Sequence, residues 1–562
     1  MSISNPALSI AVALERRPKL LPLRATFDSI NAKAFADNKQ LQKIDNANWQ
    51  VLFGRRGAGK TTLLATYANY ITKEVRGGSK ASIELNVTDF ISVVDNGSSK
   101  KISDIEIAQI YFSDFMQCIC MHLFNVFTKN DQRSKFVRLF LASPKREYIQ
   151  DLVLRLVDSI KNPVPSPIGA HRKETIRSTQ KASEQGKQGV GFSAAVGASA
   201  DGIAKASARA SFDISQKVAD SSDSKQDVFV GFAHFKFDYF KTRDAVVDLL
   251  DALEIETMYI FIDEWSELDR SSTRNIQPFF AELLKKVFWN NERFVIKLGA
   301  VRTQTKLITR VKTLGPIGLE PGADIFELDL DEAYSNPTLD KVKFYEELVF
   351  RHLSYCNSDL EAFRESGQVD FYGTQLTRPV ETFVEYIFKS RKEFQTLIEG
   401  AGGLPRDFVE MFDALARSKD FRVTPPWTMK EVKSCVREHC IKTKQSDIGD
   451  DTVTYEVFNE IIQLIKTNNS RLILVKRTSS RKLLTIVGEF YHKRLLHDVP
   501  IVSVPVLVRP LYHMYYADLG LLYDTNIKHI DEPSDSDLAA FAPTDSPADL
   551  KKYILNYHAS KS

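Results

Sequence analysis

The chain has 562 residues, which is enough for about three or four domains. Its 75 Lys and Arg residues nearly balance 72 Asp and Glu residues, and the formal net charge of +3 is too small to indicate a nucleic-acid partner by itself. Five cysteines without a CxxC pair or a regular spacing argue against a disulfide-stabilised secreted protein. The sequence also lacks a signal peptide and an apolar run long enough to span a membrane. These properties predict a soluble cytoplasmic protein.

The first motif in chain order is a glycine-rich loop between a predicted strand and a predicted helix. The strand is WQVLF, and the helix presents apolar side chains on one face between Leu64 and Ile71. Between them, FGRRGAGKTT has the G-x-x-x-x-G-K-T spacing of a P-loop, whose backbone N–H groups surround a phosphate at the N-terminus of a helix. The predicted nucleotide-binding residues are Gly54, Arg55, Arg56, Gly57, Ala58, Gly59, Lys60, Thr61 and Thr62.

This loop predicts ATP and Mg²⁺ as cofactors, with Lys60 on the phosphates and the hydroxyl of Thr61 on the metal. The other half of such a site should be a buried strand that ends in acids, because Mg²⁺ needs a carboxylate and hydrolysis needs a group that orients water. The segment MYIFIDEWSELD has this form. We predict that Asp263 contributes to the metal shell and that Glu264 is the catalytic carboxylate, although acids after a strand are also common as helix caps.

An insertion of unusual composition is predicted at residues 163–227. It opens with three prolines, and residues 186–214 are rich in Gly, Ala and Ser. Alternation around a turn at residues 201–203 predicts a β-hairpin with one apolar face. Three interpretations remain: a flexible linker, a projecting hairpin that contacts a partner, or strands of a barrel shared between subunits. The weak lipid affinity of alanine argues against the barrel.

Two later segments place basic or polar residues at the ends of predicted elements. The strand RFVIKLGAV ends at Val301 and is followed by Arg302 and Thr303, which could simply be a solvated strand end. The segment GGLPRDFVEMF puts Arg406 at the start of a helix, where the helix dipole disfavours a positive charge. A contact between Arg406 and a nucleotide phosphate would explain that position.

The C-terminal part combines predicted helices with a basic stretch. Thr428 and Glu431 form a predicted capping box. Seven Lys or Arg residues oppose one acid between Arg471 and Arg494, a composition able to neutralise the phosphates of DNA. An ordinary solvated face is the alternative. The predicted nucleic-acid contacts are Lys476, Arg477, Arg481 and Lys482.

Taken together, LFGRRGAGKTTLL, IFIDEWSEL and GGLPRDFVEMF resemble the origin-recognition/initiator-like clade of AAA+ P-loop ATPases, which is close to the STAND ATPases. The resemblance covers roughly residues 30–420. It implies an α/β fold, a P-loop parallel α/β/α sheet with a helical lid, often followed by a winged-helix domain. It also implies that Arg406 is the lid arginine called sensor 2. Arg302 or Thr303 would lie near the first sensor, which contacts the γ-phosphate or the attacking water; that sensor is commonly Asn or Thr, so Arg302 departs from the pattern.

The resemblance and the composition changes together predict the domain organisation and the partners. An arginine finger from a neighbouring subunit is implied, with Arg270, Arg274 and Arg310 as open candidates. The predicted domains are an N-terminal segment (1–30), the ATPase core with the insertion (31–335), a helical lid (336–424), a winged-helix-like domain (425–530) and an acidic tail (531–562).

The main functional hypothesis is an ATP-driven molecular switch that hydrolyses Mg-ATP, forms a homo-oligomer and engages double-stranded DNA or an effector protein. Many bacterial proteins with this resemblance belong to anti-phage or mobile-element systems, so such a role is expected here, without a membrane partner. The alternative is a scaffold or sensor with little turnover, which ATP assembles and which presents the hairpin at 186–214 to a partner or membrane.

Overall fold

The computed structural model of the protein describes a set of segments that runs through most of the chain. The predicted hairpin at 186–214 lies outside them, as do Arg270 and nearly all of the insertion at 163–227. The described residues are 6–21, 36, 40–74, 80–91, 103–128, 164–165, 235–236, 239–252, 255–269, 274–311, 315–331, 341–363, 368–369, 375–376, 381–418, 426–445, 448, 452–499, 512–524 and 553–555.

The helices and strands of these residues are numbered in chain order. The helices are α1 (Pro6–Leu20), α2 (Gln40–Ile44), α3 (Lys60–Glu74), α4 (Asp104–Thr128), α5 (Tyr239–Ala252), α6 (Gln277–Leu284), α7 (Lys341–Cys356), α8 (Glu381–Ile387), α9 (Arg391–Gly400), α10 (Pro405–Ser418), α11 (Met429–His439), α12 (Thr452–Asn468), α13 (Arg481–His492) and α14 (Leu519–Asp524). The strands are β1 (Gln50–Phe53), β2 (Lys80–Asn86), β3 (Val164–Pro165), β4 (Phe235–Lys236), β5 (Thr257–Asp263), β6 (Phe294–Ala300), β7 (Ile308–Val311), β8 (Gly315–Gly318), β9 (Phe326–Asp329), β10 (Gln368–Val369), β11 (Gln375–Leu376), β12 (Leu472–Lys476), β13 (Leu496–Asp498) and β14 (Tyr512–Ala517). None of the described helices is long and apolar enough to cross a membrane.

A parallel sheet with the order β2-β5-β6-β1-β9 forms the centre of the predicted ATPase core. Strands β5 and β6 are buried along almost their whole length, as is typical of strands covered on both faces, and the buried residues of β6 include Lys297. The strand predicted before the glycine-rich loop, the helix predicted after it and the strand predicted to end in the acids are all present in the structure. Because the carboxyl ends of parallel strands meet at one edge, the residues after β1, β5 and β6 come together there, with β6 between the other two.

Aromatic packing fixes one layer of helices on this sheet. Phe112 and Phe115 of α4 surround Phe280 of α6, with ring centroids 5.5 and 5.6 Å away. Phe90, which follows β2, stacks on the same ring at 5.6 Å. Edge-to-face and offset contacts of this kind add to the burial of apolar area. They hold the two helices against the strands that carry the acids.

The N-terminal helix α1 packs on the lid, although the sequence predicted only an undefined N-terminal segment. Ile10 and Leu14 are buried in the same apolar cluster as the lid helices α7 and α10. Arg17 forms a buried ion pair with Asp413 of α10, and its Nε lies 3.3 Å from Nδ1 of His352. The structure therefore places this helix on the helical lid.

The C-terminal domain, here the described residues from Met429 onward, combines helices with an antiparallel sheet. The predicted capping box at the start of α11 is present, with Thr428 N donating to Glu431 at 2.7 Å. The sheet has the order β12-β14-β13, and α12 and α13 pack on it. Leu474 of β12 exchanges backbone hydrogen bonds with residues 553–555, so part of the predicted acidic tail belongs to this sheet. The winged-helix-like assignment stays a prediction.

Candidate nucleotide-binding site

The glycine-rich loop occupies the turn from β1 into α3. Gly57 and Gly59 have φ values of 93° and 89°, a backbone region that favours glycine. Lys60 is the first residue of α3, and its Nζ donates to the carbonyl oxygens of Gly54 (2.7 Å) and Arg55 (3.1 Å). Burial lowers the pKa of Lys60, while the nearby Asp263 acts in the opposite direction. The loop and its ammonium group thus lie together at the N-terminus of a helix, where anions are favoured.

Thr61 and Asp263 meet beside this loop. The Thr61 hydroxyl donates a short hydrogen bond to Asp263 Oδ2, and Asp263 Oδ1 accepts from the backbone N–H of Glu264 at 2.9 Å. Burial raises the pKa of Asp263, and the contacts with Thr61 and Lys60 counteract the rise. A hydroxyl and a carboxylate side by side are hard oxygen ligands, the type that Mg²⁺ prefers. The donor set therefore fits the predicted metal.

Glu264 has an unusual backbone conformation at the end of β5. Its φ is 57°, in the left-handed region that long side chains rarely adopt. Such residues cost about 1–3 kcal/mol and concentrate at functional sites. The conformation turns the chain sharply, so that the side chain of Glu264 is partly exposed next to the buried Asp263.

Arg406 lies directly on the loop. Its backbone N–H donates to Gly57 O at 3.3 Å, and a Cβ added at Gly57 would stand 2.9 Å from Arg406 Cβ. Gly57 is required here for two reasons, its positive φ and the close approach of the lid helix α10. The structure thus brings Arg406 to the P-loop across about 350 residues of sequence.

The residues after β6 are held by other partners. The guanidinium group of Arg302 forms ion pairs with Glu327 (2.8 Å) and Asp329 (3.1 Å), and it stacks 4.2 Å from the ring centroid of Phe53. Arg302 would have to leave these acids to reach a phosphate. Thr303 instead lies within hydrogen-bond distance of His492 Nε2, at 2.6 Å.

Several residues around the loop escaped the sequence analysis. Asp331 accepts from the backbone N–H of Arg55 at 2.8 Å, and Glu267 accepts from the exposed Arg56 at 3.1 Å. His497 of the C-terminal domain contacts the Arg55 side chain. Asp331 could have been found as an acid just after a strand, the same pattern that predicted Asp263. His497 carries no local signal, because its partner lies 442 positions away.

The predicted nucleic-acid contacts lie at the turn from β12 into α13. All four side chains are exposed. Ser480 caps helix α13 by accepting a hydrogen bond from Leu483 N at 3.3 Å. This cap fixes the turn between the two basic residues before it and the two after it. The four residues are Lys476, Arg477, Arg481 and Lys482.

The chain is similar to one protein family and, at low sequence identity, to solved structures. The family model described as ORC-CDC6-like matches residues 26–421, well over half of the chain. Among solved structures, a Walker-type ATPase of Pyrococcus abyssi matches with a TM-score of 0.33 and 11% identity, over 90% of this chain and 99% of the other. A Drosophila ORC bound to DNA matches with a TM-score of 0.29 and 10% identity, over 92% of each chain. No curated protein matches the sequence. On the family model, the chain belongs to the ORC-CDC6-like family of AAA+ ATPases.

Proposed function

We propose that this protein binds and hydrolyses Mg-ATP and acts as an oligomerising molecular switch. One observation carries the proposal: the glycine-rich loop, the Thr61–Asp263 pair and Arg406 of the lid converge at one edge of the parallel sheet. The loop with Thr61, Asp263 and Arg406 come from three different parts of the sequence, and each has a distinct task in phosphoryl transfer.

Binding would use the backbone N–H groups of the loop together with Lys60. The N-terminus of the 15-residue helix α3 adds a positive partial charge at the same place. Thr61 and Asp263 would hold Mg²⁺, whose chemistry there is to neutralise charge on the phosphates. The hydroxyl donates to the carboxylate, so both oxygens are already positioned beside each other.

Hydrolysis would depend on Glu264 as the group that orients and deprotonates water. Its place directly after Asp263 and its positive φ support this role. For the first sensor we favour Thr303 over Arg302, because the resemblance implies Asn or Thr there and Arg302 is engaged by two acids of β9. Arg406 would report the presence of phosphate to the lid, because it starts α10 and touches Gly57.

Oligomerisation through the nucleotide sites requires an arginine that a neighbouring subunit can offer. Arg274 forms an ion pair with Asp104 at 3.3 Å, whereas Arg310 is exposed on the β7–β8 hairpin. This contrast favours Arg310 over Arg274 as the arginine finger that reaches the nucleotide site of a neighbouring subunit.

The C-terminal basic residues would engage the phosphates of double-stranded DNA, a binding mode that salt weakens. Their exposure at one turn supports this part of the proposal. An effector protein is the other partner class. The role in anti-phage defence or mobile-element transactions rests on resemblance, and the cytoplasmic location rests on the sequence composition.

Phosphate release from ATP by the wild type and by Glu264→Gln, with and without duplex DNA at two salt concentrations, tests the proposal. We expect turnover that DNA stimulates at low salt, and a loss of about 100-fold or more in the variant because the general base is removed. Lys60→Ala, which removes the phosphate contact, should bind ATP more weakly than the wild type.

Two outcomes would contradict the proposal. ATP binding by Lys60→Ala as tight as that of the wild type would refute the site. Slow turnover that ignores both DNA and the Glu264 substitution would favour the scaffold interpretation, in which ATP assembles the protein and residues 186–214 contact the partner.

A further inference from the structure

The side chain of Arg55, a residue of the glycine-rich loop, is held by the C-terminal domain. Arg55 Nη1 lies 2.9 Å from His497 Nδ1, and the guanidinium carbon lies 5.1 Å from the ring centroid of Tyr491. Arg55 is only 7% exposed. The carbonyl oxygen of Arg55 also accepts from Lys60 Nζ. Arg55 Nε also lies 3.4 Å from Asp331 Oδ1, so Asp331 and the C-terminal domain together fix the residue that positions the phosphate-binding lysine.

The chemistry of these groups determines the protonation of His497. An arginine can only donate, so Nδ1 of His497 must be the acceptor. The proton of the neutral ring is then on Nε2, which donates to Asp518 Oδ2 at 2.9 Å. Asp518 lies two residues before Gly520, where an added Cβ would stand only 2.3 Å from Cys440 Cβ. The turn that carries Asp518 is therefore tightly packed.

The chain of buried charges continues from Asp518 into the lid. Lys444 Nζ donates to Asp518 Oδ2 at 2.5 Å and lies 3.3 Å from Asp407 Oδ2. Asp407 also forms an ion pair with Arg494. The side chains of Lys444, Asp407 and Asp518 are completely buried. Removing any one of them would leave an uncompensated charge in the interior.

The last link returns to the glycine-rich loop. Asp407 follows Arg406, whose backbone N–H donates to Gly57 O. The contacts thus form a closed circuit: loop to C-terminal domain through Arg55 and His497, C-terminal domain to lid through Lys444 and Asp407, and lid to loop through Arg406. Each of the three parts therefore contacts both of the others.

We propose that the Arg55–His497 contact couples nucleotide binding to the docking of the C-terminal domain. The anchored Arg55 pre-organises the loop for ATP, and bound ATP in turn strengthens the docking, because two linked equilibria must act on each other equally. This inference rests on the proposed function, since it requires ATP at the glycine-rich loop. His497 is a positioning residue, which acts on the nucleotide through Arg55.

The test combines calorimetric titration with Mg-ATPγS and hydrogen–deuterium exchange of residues 481–499 in the full chain. Mg-ATPγS should slow exchange in this segment of the wild type. In His497→Leu we expect Kd for Mg-ATPγS to rise about fivefold or more and the exchange effect to disappear. His513→Leu is the matched control in the same domain and should behave as wild type. His497→Asn retains an acceptor for Arg55 and should restore part of both effects.

The outcomes separate this inference from the proposed function. No binding of Mg-ATPγS by the wild type would refute both. Binding by the wild type without any change in residues 481–499 would refute the coupling alone, whether or not the variants fold. A fivefold loss of affinity in His513→Leu as large as in His497→Leu would also overturn it, because the effect would then be a general loss of packing.

Discussion

Glu264 combines a predicted catalytic role with a strained backbone, and the two can be separated by substitution. Asn tolerates the left-handed region better than Gln, because its short polar side chain bonds to the local backbone. We expect Glu264→Gln and Glu264→Asn both to lose phosphate release, but Glu264→Asn to be more stable by about 0.5–1 kcal/mol. Urea unfolding of the two variants measures the difference.

The control uses the exposed helical residue Glu456 of α12. There, Asn should be less stable than Gln, because Asn has the lower helix propensity. The same order of stability at both positions would contradict the strain at Glu264.

At this scale, the residues of fixed-spacing motifs were predictable and their partners were not. Lys60 and Thr61 were predicted from the fixed spacing of the glycine-rich loop, and Asp263 from a buried strand that ends in acids; their roles stay predictions. Arg302 shows the opposite case, because its ion pairs with Glu327 and Asp329 depend on β9 adding to the sheet beside β1. Sequence patterns do not give that neighbour.

Helix α1 packs on the lid through buried apolar side chains and one buried charge pair. Arg17→Met should leave Asp413 buried without its cation and destabilise the protein by about 3–5 kcal/mol. Arg16→Met is the matched control, because Arg16 is exposed and neighbours Arg17. Thermal unfolding of both variants is the measurement, and the double variant Arg17→Met/Asp413→Asn should recover part of the loss. Equal stability of Arg16→Met and Arg17→Met would refute the role of the pair.

Element positions were predictable where the pattern is continuous or capped. The apolar run of β5, the largely apolar β6 and the capping box of α11 are clear in the sequence and are present in the structure. The docking of α1 on the lid was not predicted, because a short amphipathic run does not indicate which partner covers it.

For the molecule as a whole, His497 makes the contacts between the glycine-rich loop, the lid and the C-terminal domain sensitive to pH. The pKa of His497 is lowered to about 4. Burial is the main cause, the charges of Arg55 and Lys444 act in the same direction, and Asp518 partly opposes them. The unfolded chain, with a histidine pKa near 6.5, therefore takes up the proton first as pH falls. Above pH 6.5 the neutral ring makes its whole contribution to the free energy of unfolding. Between pH 6.5 and about pH 4 this contribution falls by about 3 kcal/mol.

The free energy of unfolding of the wild type and of His497→Asn, measured from pH 7.5 to 4.5, isolates this effect. The stability of the wild type should fall more steeply than that of the variant below pH 6.5, because the other titrating groups are common to both. Parallel pH profiles would contradict the neutral, buried state of His497. Asp407 and Asp518, whose pKa values the nearby cations hold below the usual range despite burial, stay ionised throughout.

Helix α13 connects the residues that contact the glycine-rich loop region to the exposed basic side chains at its other end. Arg481 is its first residue and His492 its last, so its 12 residues form a stiff arm about 18 Å long. The far end carries exposed basic side chains, while the near end touches Thr303, and Tyr491 beside it covers Arg55. A tilt of about 5° at the near end displaces the far end by about 1.6 Å. That displacement is larger than the range of distances over which a hydrogen bond to a phosphate oxygen forms. Small rearrangements around the glycine-rich loop would therefore change how strongly the basic side chains at the far end bind a polyanion.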